Sequence, residues 1–289
     1  MELRQLEYFY NVAKLKNVTR AAEMLNVAQP SVTASIKKLE KELNTQLFIR
    51  EHKQMKLTEE GQVFFLKAED ILFRIDDTLA EIKDMATERK GTLRIGIPPM
   101  IGTYLFPKVF VDFFKEYPDI ELKIWEYGSL DTQGMILEGE LDMGIVITSE
   151  ASVELETLGL SHSQVMVCLP ENHPQNKADS LSIADLKSEK VIMLKKGFYH
   201  RKKMMESYNE ANIKPQIVLS SNQLETIKSL VRNNVGISFL MEDVISKEEG
   251  IIGIPLRNAV KLEIGLAWRK DRYLSKAGKI FIDFMKSQA

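Results

Sequence analysis

Through the first third of the chain, apolar side chains recur at helical spacing. Leu3, Leu6, Phe9, Tyr10 and Ala13 share one face of a helix over residues 3–15. A second short helix follows, with Thr19 placed to cap it and Asn26 to end it. In the third, Val32, Ile36, Leu39 and Leu43 fall at i, i+4, i+7 and i+11, which commits one side to a core. At about 100° per residue the opposite side collects Pro30, Ser31, Ala34, Lys37, Lys38 and Lys41. Short side chains let another surface come close, and lysines favour a polyanion, which is the form of a recognition helix in a DNA major groove. A solvated lysine face on an ordinary amphipathic helix has the same pattern, and this segment alone leaves both readings open.

The next patterns bear on that choice. Leu47, Phe48 and Ile49, a polar break, then Met55 and Leu57 predict a two-stranded wing, with Arg50, His52, Lys53 and Lys56 in reach of phosphate. Three helices and a wing make a winged helix-turn-helix over residues 1–58. From Thr58 a long helix is predicted to about residue 90. Phe65, Ala68, Leu72, Ile75, Leu79, Ile82 and Ala86 alternate threes and fours along it. That is a heptad seam, which calls for a partner helix and hence dimerisation; packing on its own chain is the alternative.

After Arg89-Lys90-Gly91 the period changes. Strand patterns at 92–97, 120–127, 143–147, from 165, 191–195, 216–219, 236–240 and 262–268 alternate with helical ones at 103–116, after Ser129, at 200–211, 223–232 and 275–287. This implies βαβ units, a parallel sheet and two similar α/β halves meeting near 160–163. In such folds ligands bind between the halves, at the carboxyl ends of strands, where helix N-termini suit a small anion. By position the candidates are Pro99, Met100, Gly102, Thr103, Gly128, Ser129, Phe198, Tyr199, His200 and Ser221.

Composition narrows the function classes. The 289 residues carry a net charge of only −2, and residues 1–60 hold ten Lys/Arg against eight Asp/Glu, so binding to nucleic acid must rest on local arrangement. The single cysteine, Cys168, lies in an apolar strand run and reads as a buried, inert thiol in a reducing compartment. The N-terminus is unlike a signal peptide and no apolar run approaches a membrane span, so a cytoplasmic protein is expected. His52, His162, His173 and His200 show no metal-ligand spacing, and no nucleophile elbow, phosphate loop or dinucleotide fingerprint is present. Neither a catalytic function nor a cofactor is expected. A solute-binding or sensor protein without promoter readout is the rival reading, since two α/β lobes suit it.

The N-terminal residues resemble the LysR-type transcriptional regulators. The likeness lies in Leu6-Glu-Tyr-Phe9, Asn17-Val-Thr-Arg-Ala-Ala-Glu-Met-Leu25, Val27-Ala-Gln-Pro-Ser-Val-Thr33, Ile36-Lys-Lys-Leu-Glu40, Leu47-Phe-Ile-Arg50 and Leu57-Thr-Glu-Glu-Gly61. The layout along the whole chain agrees. The resemblance implies a winged helix-turn-helix (1–58), a linker dimerisation helix (59–90) and an effector-binding domain like the periplasmic binding proteins (91–289). That domain would comprise subdomain I (about 91–161 and 267–289) and subdomain II (about 162–266), joined by two crossing strands. It implies a homo-oligomer, a dimer or tetramer, acting on double-stranded promoter DNA and RNA polymerase under control of a small metabolite. DNA contacts carried over by position are Thr19, Gln29, Pro30, Ser31, Thr33, Ser35, Lys37, Arg50 and Lys53. The family often has a large polar residue where this chain has Ala34, leaving a thymine methyl as that position's target. Family members also place Ser or Thr early in the first effector loop, whereas here Thr103 is its first hydroxyl.

Overall fold

The computed structural model describes residues 1–51, 54–85, 91–246 and 248–288. His52, Lys53, Ala86, Arg89 and Lys90, which carry expectations above, lie outside the described residues. The chain divides into two compact units, residues 1–83 and 84–289.

The first unit holds α1 (Leu3–Leu15), α2 (Val18–Met24), α3 (Gln29–Leu43), β1 (Phe48–Glu51), β2 (Gln54–Leu57) and α4 (Glu59–Met85), whose last residues pass into the second. Its core gathers Phe9, Val12, Ala21, Val32, Leu39 and Leu47. The cap of α2 is Asn17 rather than Thr19: the Asn17 side-chain oxygen accepts the Arg20 amide at 3.1 Å, and Thr19 lies exposed in the first turn. Asn26, in the left-handed region at φ 53°, follows that helix and ends it. Pro30 opens α3, where a missing N–H costs nothing. Val32, Ile36 and Leu39 are buried, but Leu43 is 38% exposed, so the committed face stops a turn early.

The expected seam of α4 divides. Phe65 stacks on Tyr10 with ring centroids 5.3 Å apart, Ala68 is fully buried, and Leu72 packs on the same core. These three serve their own chain, because the start of α4 runs against the winged domain: a Cβ on Gly61 would lie 2.1 Å from the Leu47 carbonyl oxygen. Ile75 is half-buried, and Leu79 and Ile82 are 62% and 60% exposed, so the seam itself is open only towards the end, although Val63 and Leu66, off the seam, are exposed near the start.

The second unit runs β3 (Gly91–Gly96), α5 (Pro99–Tyr104), α6 (Phe106–Glu116), β4 (Ile120–Trp125), α7 (Ser129–Leu137), β5 (Met143–Ile147) and β6 (Leu155–Pro170). It continues with β7 (Lys190–Leu194), α8 (Tyr199–Glu210), β8 (Gln216–Ser221), α9 (Leu224–Arg232), β9 (Ile237–Met241), α10 (Glu242–Ile245), β10 (Ile251–Arg269) and α11 (Lys276–Gln288). The single helix expected over 103–116 is two helices broken at Leu105, because Pro107 has no N–H to extend the ladder of α5.

The strand order is β4-β3-β5-β10-β6-β9-β7-β8. Pairing is parallel within each half, β4-β3-β5 and β9-β7-β8. The centre is antiparallel: β10 pairs with β5 and along β6, and β6 pairs with β9. An all-parallel sheet is thus corrected to a mixed one. The two crossing strands run to 16 and 19 residues, and β10 pairs with β5 over Ile264–Trp268. Lobe I comprises β3, β4, β5 and α5 to α7; lobe II comprises β7, β8, β9 and α8 to α10. Helix α11 returns to lobe I, where Phe281 and Phe284 meet Phe113 edge-on at 5.1 and 5.2 Å.

Candidate nucleic-acid interface and effector crevice

Burial of Val32, Ile36 and Leu39 fixes the rotation of α3 and turns Gln29, Pro30, Ser31, Ala34 and Lys37 outward. Thr33 and Ser35 are half-buried flanks of that face. Gln29 Nε2 donates to Thr33 Oγ1 at 2.9 Å, and Thr33 Oγ1 donates to the Gln29 carbonyl at 3.1 Å, so these two polar side chains present one ordered edge. Lys38 is held aside by Glu2 at 2.8 Å; their hydrogen bond puts the Glu2 carboxyl below its ordinary pKa and the Lys38 ammonium above it.

The wing forms as expected, with Phe48 opposite Leu57 and Arg50 opposite Met55. Glu40 on α3 accepts the amides of Leu47 and Phe48 at 2.9 and 3.2 Å, tying the wing's entry to the reading helix. The Met55 amide donates to the Lys16 carbonyl at 3.1 Å, which docks its second strand on α1. Lys56 pairs with Glu51 across the wing, which leaves it less free to seek phosphate than the sequence alone implies.

In the second unit the carboxyl ends of β3, β4 and β8 open onto a crevice of about 510 Å³ between the lobes. Pro99, Thr103 and Glu126 line it from lobe I. From lobe II come Asn222 and the first turn of α9, Gln223 to Thr226. Pro99 and Thr103 are therefore where the sequence puts them. Met100 faces away from this crevice, and Gly102 packs on Ile97, where a Cβ would come within 3.3 Å of Ile97 Cγ2. Ser221 sits beside the crevice, its Oγ accepting the Gln223 amide at 3.1 Å.

The remaining expected ligand residues serve as structure. Gly128 lies against Gly197, where a Cβ would be 2.2 Å from the Gly197 carbonyl oxygen, and that oxygen accepts the Leu130 amide at 3.1 Å. Ser129 is buried behind this contact. Phe198 and Tyr199 belong to the hydrophobic core, and burial pushes the Tyr199 hydroxyl up from its ordinary pKa. His200 is also buried, with no hydrogen-bond partner at either ring nitrogen, and burial lowers it from 6.5 to about 4. It is a neutral core residue, not a group lining the crevice. Arg201 is turned to the Leu194 carbonyl and Ser220 Oγ, at 2.5 and 3.1 Å.

The expected anion preference does not follow from this lining. Glu126 and Glu225 are its charged members, and no Lys, Arg or His is among its lining residues. The first turns of α7 and α9 also carry Asp131 and Glu225, which already meet the positive ends of those helices. Glu225 reaches Lys228 at 2.5 Å. Burial of Lys228 disfavours its charge, but hydrogen bonds to Glu225, Glu248 and Tyr104 outweigh that and raise its pKa.

Polar contacts cross between the lobes on two sides. Tyr104 Oη donates to Glu248 Oε1 at 3.0 Å and accepts from Lys228 Nζ at 3.3 Å. Glu150 pairs with Lys202 at 3.0 Å and Lys203 at 3.3 Å, and those hydrogen bonds hold its carboxyl below the usual range.

Two matches with known families decide the identity. Residues 3–62 match the family model described as "Bacterial regulatory helix-turn-helix protein, lysR family", and residues 86–289 match "LysR substrate binding domain". The chain belongs to the LysR family of transcriptional regulators. A "HTH-type transcriptional regulator", YwbI of Bacillus subtilis, is 32% identical to this LysR chain over 290 residues, covering 99% of it and 96% of the relative. Among solved structures, HinK, a LysR family regulator from Pseudomonas aeruginosa, is 25% identical with a TM-score of 0.58, covering 99% and 98% of the two chains. CbnR, solved with its target DNA, shares the fold at a TM-score of 0.59 and 21% identity over the full length of both chains.

Glu126 and the first turn of α9 line the crevice of this LysR protein without being among the residues its sequence singles out. Glu126 was detectable, since it follows the last residue of β4 at the carboxyl end of the sheet. The α9 residues were not, because their approach to α5 depends on how the lobes meet. Among the described residues, no group of His, Cys, Asp and Glu is placed to hold a metal ion, and no helix is long and apolar enough to cross a membrane.

Proposed function

We propose that this regulator reads promoter DNA through the exposed edge of α3, with Gln29, Pro30, Ser31, Thr33, Ser35 and Lys37 in the major groove. Thr19, Arg50 and Lys53 take flanking phosphates. The observation that carries this reading is the rotation of α3: its three large apolar residues are buried, and the opposite edge is short, polar and basic. Ala34 on that edge suits a thymine methyl. The protein works in the cytoplasm as a homo-oligomer joined through the open part of α4, at Ile75, Leu79 and Ile82. It acts by binding and not by catalysis, without a cofactor.

The effector is a small polar metabolite seated in the interlobe crevice against Pro99, Thr103 and Asn222, with Glu126 accepting from its donor groups. It biases the lobes between two arrangements, and α4 carries that bias to the spacing of the reading helices and so to RNA polymerase at the promoter. The reading is tested by gel-shift titration of the full-length protein on DNA from its own upstream region and on an unrelated fragment of equal length. Binding at moderate salt at least about a hundredfold tighter to the upstream fragment is expected. Equal affinity for both would refute promoter readout.

A further inference from the structure

Between Pro255 and Val260, β10 departs from its regular pairing with β6. Its backbone turns instead to Leu181. The Leu181 amide donates to the Pro255 carbonyl at 3.0 Å, and the Arg257 amide donates to the Leu181 carbonyl at 2.8 Å. This link leaves a cavity of about 340 Å³ in front of it, closed on the far side by the last turn of α8. The cavity shares no lining residue with the interlobe crevice. Leu181, Ile183 and Leu256 are buried and form its apolar floor. Its volume lies at the lower end of the range of about 300–1,000 Å³ usual for small-molecule sites.

The rim carries two charges of opposite sign, and they do not pair with each other. Arg257 is exposed, and its ion pair with Asp185 is long, at 3.7 Å. The Asp185 oxygen it approaches already accepts the Ser182 amide and hydroxyl, at 2.8 and 2.6 Å. The guanidinium fork is therefore open to a carboxylate, which it can grip with two parallel N–H bonds. Glu210, on the α8 side, is also exposed and forms an ion pair with no described residue. It is the last residue of α8, whose last turn holds no basic side chain, so the negative end of the helix adds to its carboxylate.

We propose that this cavity is a binding site for a free α-amino acid with an aliphatic side chain. Its carboxylate meets Arg257, its ammonium meets Glu210 and the end of α8, and its side chain lies on the floor of Leu181, Ile183 and Leu256. Opposite charges held in one cavity without pairing leave room for a molecule that carries both complements. A simple carboxylate would be repelled by Glu210, and a simple amine by Arg257. Only a zwitterion satisfies both.

Such a ligand ties the end of α8 to β10, and both elements reach the other lobe. Lys202 and Lys203, near the start of α8, pair with Glu150 of lobe I. Strand β10 runs on to pair with β5 over Ile264–Trp268. Occupancy thus bears on how the lobes meet without a ligand entering the crevice.

Calorimetric titration of the full-length protein with L-leucine tests the assignment. Saturable binding at one site per chain is expected. Isocaproate, which lacks the ammonium, and isoamylamine, which lacks the carboxylate, should each bind at least about tenfold more weakly. Arg257→Gln and Glu210→Gln, both at exposed positions, should each weaken leucine at least about tenfold with circular dichroism unchanged. Glu126→Gln, in the crevice, should leave leucine affinity within about twofold of the wild type. Absence of saturable leucine binding, either analogue binding as tightly as leucine, or affinity unchanged in Arg257→Gln or Glu210→Gln would each overturn the proposal. So would a loss of leucine binding in Glu126→Gln, which would move the ligand to the crevice.

Discussion

The amide of Leu130 in lobe I donates to the carbonyl of Gly197 in lobe II at 3.1 Å. The first turn of α7, which the chain order marks as an anion site, is thus capped by the opposite lobe. Glycine makes the approach possible on both sides. A Cβ on Gly128 would strike the Gly197 carbonyl, and Gly197 itself, at φ 91°, would place a Cβ 1.9 Å from Asp131 Oδ2.

Gly128→Ala must push these segments apart and leave the Leu130 amide without its acceptor. Loss of a buried hydrogen bond of this kind costs about 1–3 kcal/mol. Urea unfolding of the full-length variant should show that loss, with the transition of the DNA-binding unit unmoved. An unchanged midpoint would mean that the lobes do not rely on this contact.

His200 makes stability depend on pH. With the folded value lowered to about 4 from 6.5, the unfolded chain takes up a proton before the folded one does as pH falls. Stability is therefore full above 6.5 and declines between 6.5 and 4, by about 3 kcal/mol over the whole interval. Denaturant unfolding at pH 7 and pH 4.5 should show a smaller acid loss in His200→Phe than in the wild type. Equal losses would place His200 in contact with water.

These two features show where sequence patterns stop being informative. The buried side of α3 and the wing were legible because local period fixes which residues face inward. The capping of α2 by Asn17 was misread only because Thr19, two positions on, offers the same chemistry. Gly128 meeting Gly197, by contrast, joins residues far apart in the chain, and nothing local distinguishes such glycines from ordinary turn residues. His200 looks polar and sits among Arg201, Lys202 and Lys203, yet the helix turns it inward while Lys202 and Lys203 reach Glu150. The length of β10 was hidden for a related reason. Gly253, Pro255 and Asn258 break the apolar pattern of its first half, where pairing with β6 is itself irregular between Pro255 and Val260.

Cys168 should be silent in the folded protein. It is fully buried, and burial pushes its thiol up to about 12, so neither thiolate nor access is available at neutral pH. Reaction with a disulfide reagent should be about a thousandfold slower than in denaturant. Rapid native labelling would show instead that the thiol is open to reagents.

Leu79 and Ile82 are the positions of the α4 seam that lie most exposed. Leu79→Lys together with Ile82→Lys should weaken self-association at least tenfold in sedimentation equilibrium, with helical content retained. Ala68→Lys should instead unfold the winged domain, because Ala68 has no exposure to lose. An oligomer undisturbed by the double variant would move the interface elsewhere.

The central claim is that the Thr33 edge of α3 meets DNA. Fluorescence anisotropy of full-length Thr33→Glu on labelled upstream DNA tests it most directly, because a carboxylate there faces the phosphates without entering the core. The account predicts loss of site-specific binding by at least a hundredfold, with the thermal midpoint within a few degrees of the wild type. Site-specific binding at wild-type affinity by the folded variant would contradict it.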